Sequence, residues 1–144
     1  STSRGLGDVY KRQDLQQGLI ANEIDLVSLI APTTSDERAT GIAEKSSGFI
    51  YYVSLKGTTG SGALAVDEVA ERTTYLRSLT SVPVCVGFGI KDAETAKAVS
   101  AHADGVVVGS VLVQLMSDSP DPDTASQRLK SATAAIRQGL DAPA

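Results

Sequence analysis

The feature that most constrains the fold is the run Val82-Pro83-Val84-Cys85-Val86-Gly87-Phe88-Gly89-Ile90, which meets a helical pattern at Asp92. Its first half is apolar and β-branched with no polar alternation, the composition of a parallel strand buried on both faces. It ends in Gly-x-Gly. A strand tip without Cβ atoms lets a ligand come within hydrogen-bond reach of main-chain N–H groups. Gly105-Val106-Val107-Val108-Gly109-Ser110 repeats the design, and the loop Lys56-Gly57-Thr58-Thr59-Gly60 adds a third amide-rich segment. Gly87 reads as a plain turn residue.

Around these tips, strands and helices alternate. Leu15, Leu19 and Ile20 suggest the last turns of a helix, and Leu26–Ile30 is a strand that Pro32 stops. Thr34 and Glu37 have capping-box spacing and open a helix with Ala39, Ile42 and Ala43 on one face. Phe49–Val53 is aromatic and β-branched, hence a strand. A helix follows from Val66 to Leu79, another from Asp92 to about Ala101, and a strand at Gly105–Val108. Val111–Met116 reads as a short extra helix, and Asp123–Leu140 as a closing helix with Leu129, Ala132 and Ile136 inward.

Strict alternation implies an α/β fold, a parallel sheet with outer helices. Four units fit either a small doubly wound sheet or half of a TIM (β/α)8 barrel. The short helix directly after the last strand matches the barrel phosphate site in the loops after strands 7 and 8, which favours the half barrel.

Composition excludes other classes. The chain has 144 residues, one ordinary domain, with 17 acidic and 13 basic residues and a formal charge of -4. A mildly acidic chain without a Lys/Arg cluster is a poor nucleic-acid or anionic-membrane surface. No apolar run reaches the ~18 residues of a membrane helix. The one cysteine, Cys85, sits mid-strand and reads as a small buried hydrophobe. The expected compartment is the cytoplasm.

A phosphate needs several donors converging on its oxygens without bulky side chains in the way. Gly60, Gly89, Gly109 and Ser110 offer main-chain N–H groups, Ser110 adds a hydroxyl, and the helix that follows adds its dipole. Tyr51 and Tyr52 point to opposite sides of their strand, one toward the ring interior and the other toward the helices. His102, the one histidine, lies at a helix C-terminus, far from any tip. The strand ends Ile30-Ala31, Val53-Ser54, Gly89-Ile90 and Gly109-Ser110 carry no Asp, Glu, His or Lys, so no acid/base pair stands where barrel chemistry requires it. No metal-ligand pattern is present.

Residues 1–13 lack the periodicity of the rest and are expected to be a non-native or disordered tail. Asp8-Val9-Tyr10-Lys11-Arg12-Gln13 resembles the translation of a transposase sequencing adapter. A flexible natural tail is the alternative. Residues 14–144 are then a partial barrel, from its fourth helix to its eighth.

Several segments together resemble the tryptophan synthase α chain. They are Gly48-Phe49-Ile50-Tyr51-Tyr52-Val53-Ser54, Lys56-Gly57-Thr58-Thr59-Gly60, Val86-Gly87-Phe88-Gly89-Ile90 and Val108-Gly109-Ser110. The resemblance implies a (β/α)8 barrel lyase of tryptophan biosynthesis that cleaves indole-3-glycerol phosphate to indole and glyceraldehyde 3-phosphate. It implies an α2β2 complex in which pyridoxal phosphate belongs to the β chain, so no cofactor is expected on this one. By resemblance, Gly60, Gly89, Gly109 and Ser110 match phosphate contacts. Ile30, Tyr51 and Phe88 match the indole-side lining, and Thr59 matches a loop threonine that helps close the site.

The catalytic Glu and Asp of that family lie on strands this sequence does not contain. Thr58 stands where the family more often has Val, and Leu55-Lys56 where some members have Arg-Ser. The alternatives are half of another phosphate-binding barrel of histidine or tryptophan biosynthesis, or a non-catalytic phosphate-binding half barrel. A half barrel is expected to be inactive and to self-associate through open edges at Leu26–Ile30 and Gly105–Val108. Its inner face is expected to carry Val84, Val86, Val107 and one of Tyr51 and Tyr52.

Overall fold

The computed structural model describes residues 3–54, 62–87 and 89–143, with the backbone alone for residues 3–10 and 62–65. The elements run α1 (Ser3–Ala21), β1 (Ser28–Ile30), α2 (Asp36–Ala43), β2 (Ile50–Val53), α3 (Gly62–Leu79), β3 (Val84–Gly87), α4 (Ala93–Ser100), β4 (Gly105–Val106), α5 (Ser110–Ser117) and α6 (Pro122–Asp141). The strands form one four-stranded sheet in the order β1-β2-β3-β4, every neighbouring pair parallel. This is the alternating α/β order read from the sequence, and it brings all four strand tips to one rim.

Two rows of residues cross the sheet. Ile30, Tyr52, Val86 and Val106 form one; Leu29, Tyr51, Cys85 and Gly105 form the other, on the opposite face. The first face is the core side. Ile30, Ile50, Tyr52, Val84 and Val86 pack there with Ala39 and Ala43 of α2, Val69 and Leu76 of α3, Ala96 and Val99 of α4 and Ile136 of α6. The second face is open: Leu29 is 62% exposed, and Tyr51, Val53 and Cys85 are half-buried.

That arrangement corrects the assignment of Val84 and Val86 to the inner face. Both are fully buried on the helix side. An unbroken apolar run carries no alternation to say which residues point which way, so the sequence left the choice open. Val107 lies just past β4, half-buried, and its N–H donates to the Val86 carbonyl (2.9 Å).

Local chemistry sets the helix boundaries. Ser35, not Thr34, caps α2, its hydroxyl accepting from Arg38 N; Thr34 Oγ1 instead accepts from Ala31 N (3.1 Å) and closes the turn after β1. Asp92 caps α4 in a full capping box with Thr95, and Asp121 caps α6 with Pro122 in its first turn. Arg72 of α3 ties to the start of α2 through Asp36 Oδ1 (2.5 Å) and the Thr34 carbonyl (2.8 Å). At the opposite end of the sheet from the tips, Asp104 accepts from Val84 N (2.9 Å) and pairs with Arg77 (3.0 Å).

The N-terminal segment is helical. No periodicity marks residues before Asp14, yet one helix runs continuously from Ser3 to Ala21. Leu15 and Ile20 on it are exposed.

Candidate functional site

The rim is built from the ends of β3 and β4, which are neighbours in the sheet. After β3 the chain passes through Gly89, whose φ of 44° lies in the left-handed region that a Cβ disfavours. Gly89 is exposed and Ile90 is buried beneath it. The turn is then fixed. Asp92 Oδ1 accepts from Thr95 N (2.8 Å), while Thr95 Oγ1 accepts from Lys91 N (3.1 Å) and Asp92 N (3.2 Å). The Thr95 amide and then its hydroxyl hold the Asp92 carboxyl below the ordinary carboxylate range.

After β4, exposed Gly109 stands at the cap of α5, and its carbonyl accepts from Leu112 N (3.0 Å) and Val113 N (3.1 Å). No side-chain cap hydrogen bond closes this helix. The amides of Ser110 and Val111, in its first turn, therefore precede any intrahelical acceptor. A Cβ placed on Gly109 meets nothing within 4 Å, so the space over this peptide is open. The result is a donor surface with a favourable helix dipole, reachable by an anion. The β1 tip differs, because the Ala31–Thr34 turn bonds close on each other, Thr34 N to Ala31 O (3.0 Å) and Ala31 N to Thr34 Oγ1.

Tyr51 is the aromatic group of the open face, as Tyr52 is only 3% exposed among the helices. Its position depends on Gly87, which is not a plain turn residue. Gly87 ends β3, pairs with Val53, and a Cβ there would lie 2.6 Å from the Tyr51 ring and hydroxyl. Sequence reasoning missed this contact, although the glycine sits two residues past the Tyr51 partner Cys85, on the same face. Cys85 lies beside this tyrosine. Burial, and then the Asp104 carboxylate, push its thiol pKa up, the opposite of an activated nucleophile.

Of the residues singled out in the sequence, Gly89 follows β3 and Gly109 and Ser110 follow its neighbour β4, and Tyr51 lies on the open face of the sheet. Ile30 is fully buried and shares a row with Tyr52, so it stands on the helix side and not beside Tyr51. Gly60, Thr59 and Phe88, with Lys56, lie outside the described residues. Among the described residues no group of three or more His, Cys, Asp or Glu side chains could hold a metal, and no helix is long and apolar enough to cross a membrane.

Parallel strands in consecutive order with outer helices define this as half of a (β/α)8 barrel. The sequence matches the tryptophan synthase alpha chain family over residues 9–141. The chain belongs to that family.

It is 51% identical over 119 residues to the tryptophan synthase alpha chain of Marinobacter nauticus, covering 82% of this chain and 44% of the relative. It is 48% identical over 122 residues to that of Cupriavidus metallidurans, covering 85% and 46%. Among solved structures, Mycobacterium tuberculosis tryptophan synthase superposes with a TM-score of 0.76 at 28% identity, covering 91% of this chain and 48% of that one. A mutant tryptophan synthase alpha-subunit from Pyrococcus furiosus gives 0.73 at 31%, covering 90% and 51%. The chain thus spans about half the length of the relatives it matches, in agreement with a half barrel. The match from residue 9 begins inside the segment expected to be a tail.

Proposed function

We propose that this chain is the phosphate-gripping portion of a tryptophan synthase alpha-type lyase, whose reaction is the aldol cleavage of indole-3-glycerol phosphate. The observation that carries the reading is the uncapped start of α5 beside the left-handed Gly89 turn, in a chain of this family. The main-chain N–H groups of Gly60, Gly89, Gly109 and Ser110 hold the phosphate. Tyr51, Thr59 and Phe88 line the indole side, and Ile30 supports the lining from the core at the tip of β1. The substrate phosphate carries a charge that the helix dipole and amides offset without a cation.

Cleavage needs a general acid and a general base in addition to the positioning that these tips supply. Acid/base assistance supplies roughly 10²–10⁴-fold in rate. None of the four strand ends carries such a group, so the chain by itself binds but does not cleave. The natural partner of the whole protein is a tryptophan synthase beta chain, which carries the pyridoxal phosphate, and the compartment is the cytoplasm.

Two assays test this. The purified chain releases no indole from indole-3-glycerol phosphate above buffer; release would overturn the assignment of its role. In an intact relative, Gly109→Val at the matching position removes the approach to a charge-assisted amide bond worth roughly 1.5–3 kcal/mol. KM then rises about 10- to 100-fold. An unchanged KM would remove Gly109 from the site.

A further inference from the structure

The donor segments of the rim sit on separate units, Gly89 after β3 and Gly109-Ser110 after β4. An anion shared between them needs a fixed spacing, because a hydrogen bond weakens steeply once its donor is displaced or turned away. The α6 helix touches both units. Its Gly139 rests on Ala93, the first residue of α4, directly after the Asp92 cap that fixes the Gly89 turn. Toward its other end, Arg128 Nη1 donates to the Asp118 carbonyl (3.1 Å) and to Ser119 Oγ (3.4 Å), just past α5.

The hydrogen bonds that fix α5 are gathered at its C-terminal end. There Asp118 N donates to Gln114 O (2.9 Å), Ser119 Oγ to Leu115 O (2.6 Å) and Ser119 N to Met116 O (3.2 Å), while Gln114 Nε2 donates to Asp118 Oδ1 (2.8 Å). The Asp118 carbonyl is left for Arg128, which reaches it from α6. Pro120, whose ring fixes φ, and the Asp121 cap, whose carboxylate accepts from Thr124 N (2.7 Å), stiffen the connection between the two helices. At the N-terminal end Gly109 and Ser110 are exposed and no side chain caps the helix. The helix is thus held from the end that offers an anion nothing, and the amides of its first turn stay open to a ligand.

We infer that α6 is the bracket that sets the spacing of the two donor tips, and that Arg128 is the positioning residue through which it holds α5. The inference rests on the reading of the α5 N-terminus as a phosphate grip. Arg128 acts through the helix and not by its charge on the anion. The eight residues of α5 put about 12 Å between the two, beyond the ~8–10 Å over which physiological salt screens exposed charges. One nitrogen makes both contacts, so a lysine can stand in for the arginine, whereas a methionine keeps an apolar stem and loses the donor.

The test titrates the whole ¹⁵N-labelled chain and its variants with glycerol 3-phosphate, following the amides of Gly89, Gly109 and Ser110. Arg128→Met weakens binding roughly 2- to 5-fold, the worth of one exposed charge-assisted contact, with unchanged circular dichroism. Arg128→Lys keeps the parent affinity. Lys130→Met, which removes the same charge two residues further along α6, also leaves it unchanged. An Arg128→Met chain that binds as its parent does, an Arg128→Lys chain as weak as Arg128→Met, or an equal loss in Lys130→Met would each overturn the inference while the phosphate reading stands. A parent chain without saturable shifts at Gly109 and Ser110 would overturn both. Should Arg128→Met unfold, Arg128→Gln, shorter and uncharged, takes its place with the same expected loss.

Discussion

Gly139 offers the sharpest energetic test of how this half barrel is held together. It lies inside α6, buried, and a Cβ built on it would stand 2.2 Å from the Ala93 carbonyl oxygen and 2.8 Å from Ala93 C and Cα. Those are backbone atoms at the start of α4, and they cannot rotate away. Restoring ordinary contact requires the two helices to part by about 1 Å, which forfeits a quarter to a half of the dispersion attraction at the contacts affected. Ile136, one turn earlier and 5% exposed, packs in the same core. Overpacking costs roughly 1–3 kcal/mol, and a rigid neighbour puts this site at the upper end. Alanine returns about 1 kcal/mol of helix propensity. Gly139→Ala therefore destabilises the chain by about 2 kcal/mol. The assay is urea unfolding followed by circular dichroism, where the midpoint falls by about 1 M for a slope of about 2 kcal/mol/M. Gly18→Ala and Gly41→Ala are the controls, since a Cβ at either meets nothing within 4 Å in its helix. They are neutral or stabilising by up to about 1 kcal/mol. A Gly139→Ala variant as stable as its parent would refute the packing argument.

Two further outcomes follow from the rim. Gly87→Ala pushes on the Tyr51 ring from 2.6 Å, and the ring has an open face to move into. The stability change is under about 1 kcal/mol, while the Tyr51 ring resonances shift in NMR spectra; unshifted resonances would mean the contact does not set the ring position. Asp92→Ala removes the α4 cap and costs about 1 kcal/mol at neutral pH. Because the folded carboxyl titrates below its unfolded value of about 3.9, its stabilisation is present above that pH and is lost as pH falls through the folded pKa. The gap between variant and parent accordingly narrows under acid, and a gap constant from pH 7 to pH 2 would contradict the assignment.

The architecture was legible because periodicity survives without tertiary information. Gly89 and Gly109 announced the tips, Asp92 announced α4, and the apolar run after Ser110 announced α5. Four things were not legible. Thr34-Ser35 offered two candidate caps, and only the closure of the β1 turn on Thr34 leaves the role to Ser35. The face of each strand could not be read from Val82–Val86, where every residue but Pro83 is an apolar candidate for either side. The partnership of Gly87 with Tyr51 depends on inter-strand register, which a single strand does not encode. The helix over residues 3–13 arose without an apolar stripe to mark it.

The central claim is that an anion is held by main-chain amides at adjoining strand tips. It is tested most directly by titrating the ¹⁵N-labelled chain with glycerol 3-phosphate and following the amide resonances. The account predicts saturable shifts at Gly89, Gly109, Ser110 and Val111, with the amides at the Asp104 end of the sheet unmoved. Shifts confined to that opposite end, or none at Gly109 and Ser110 at saturating ligand, would contradict it.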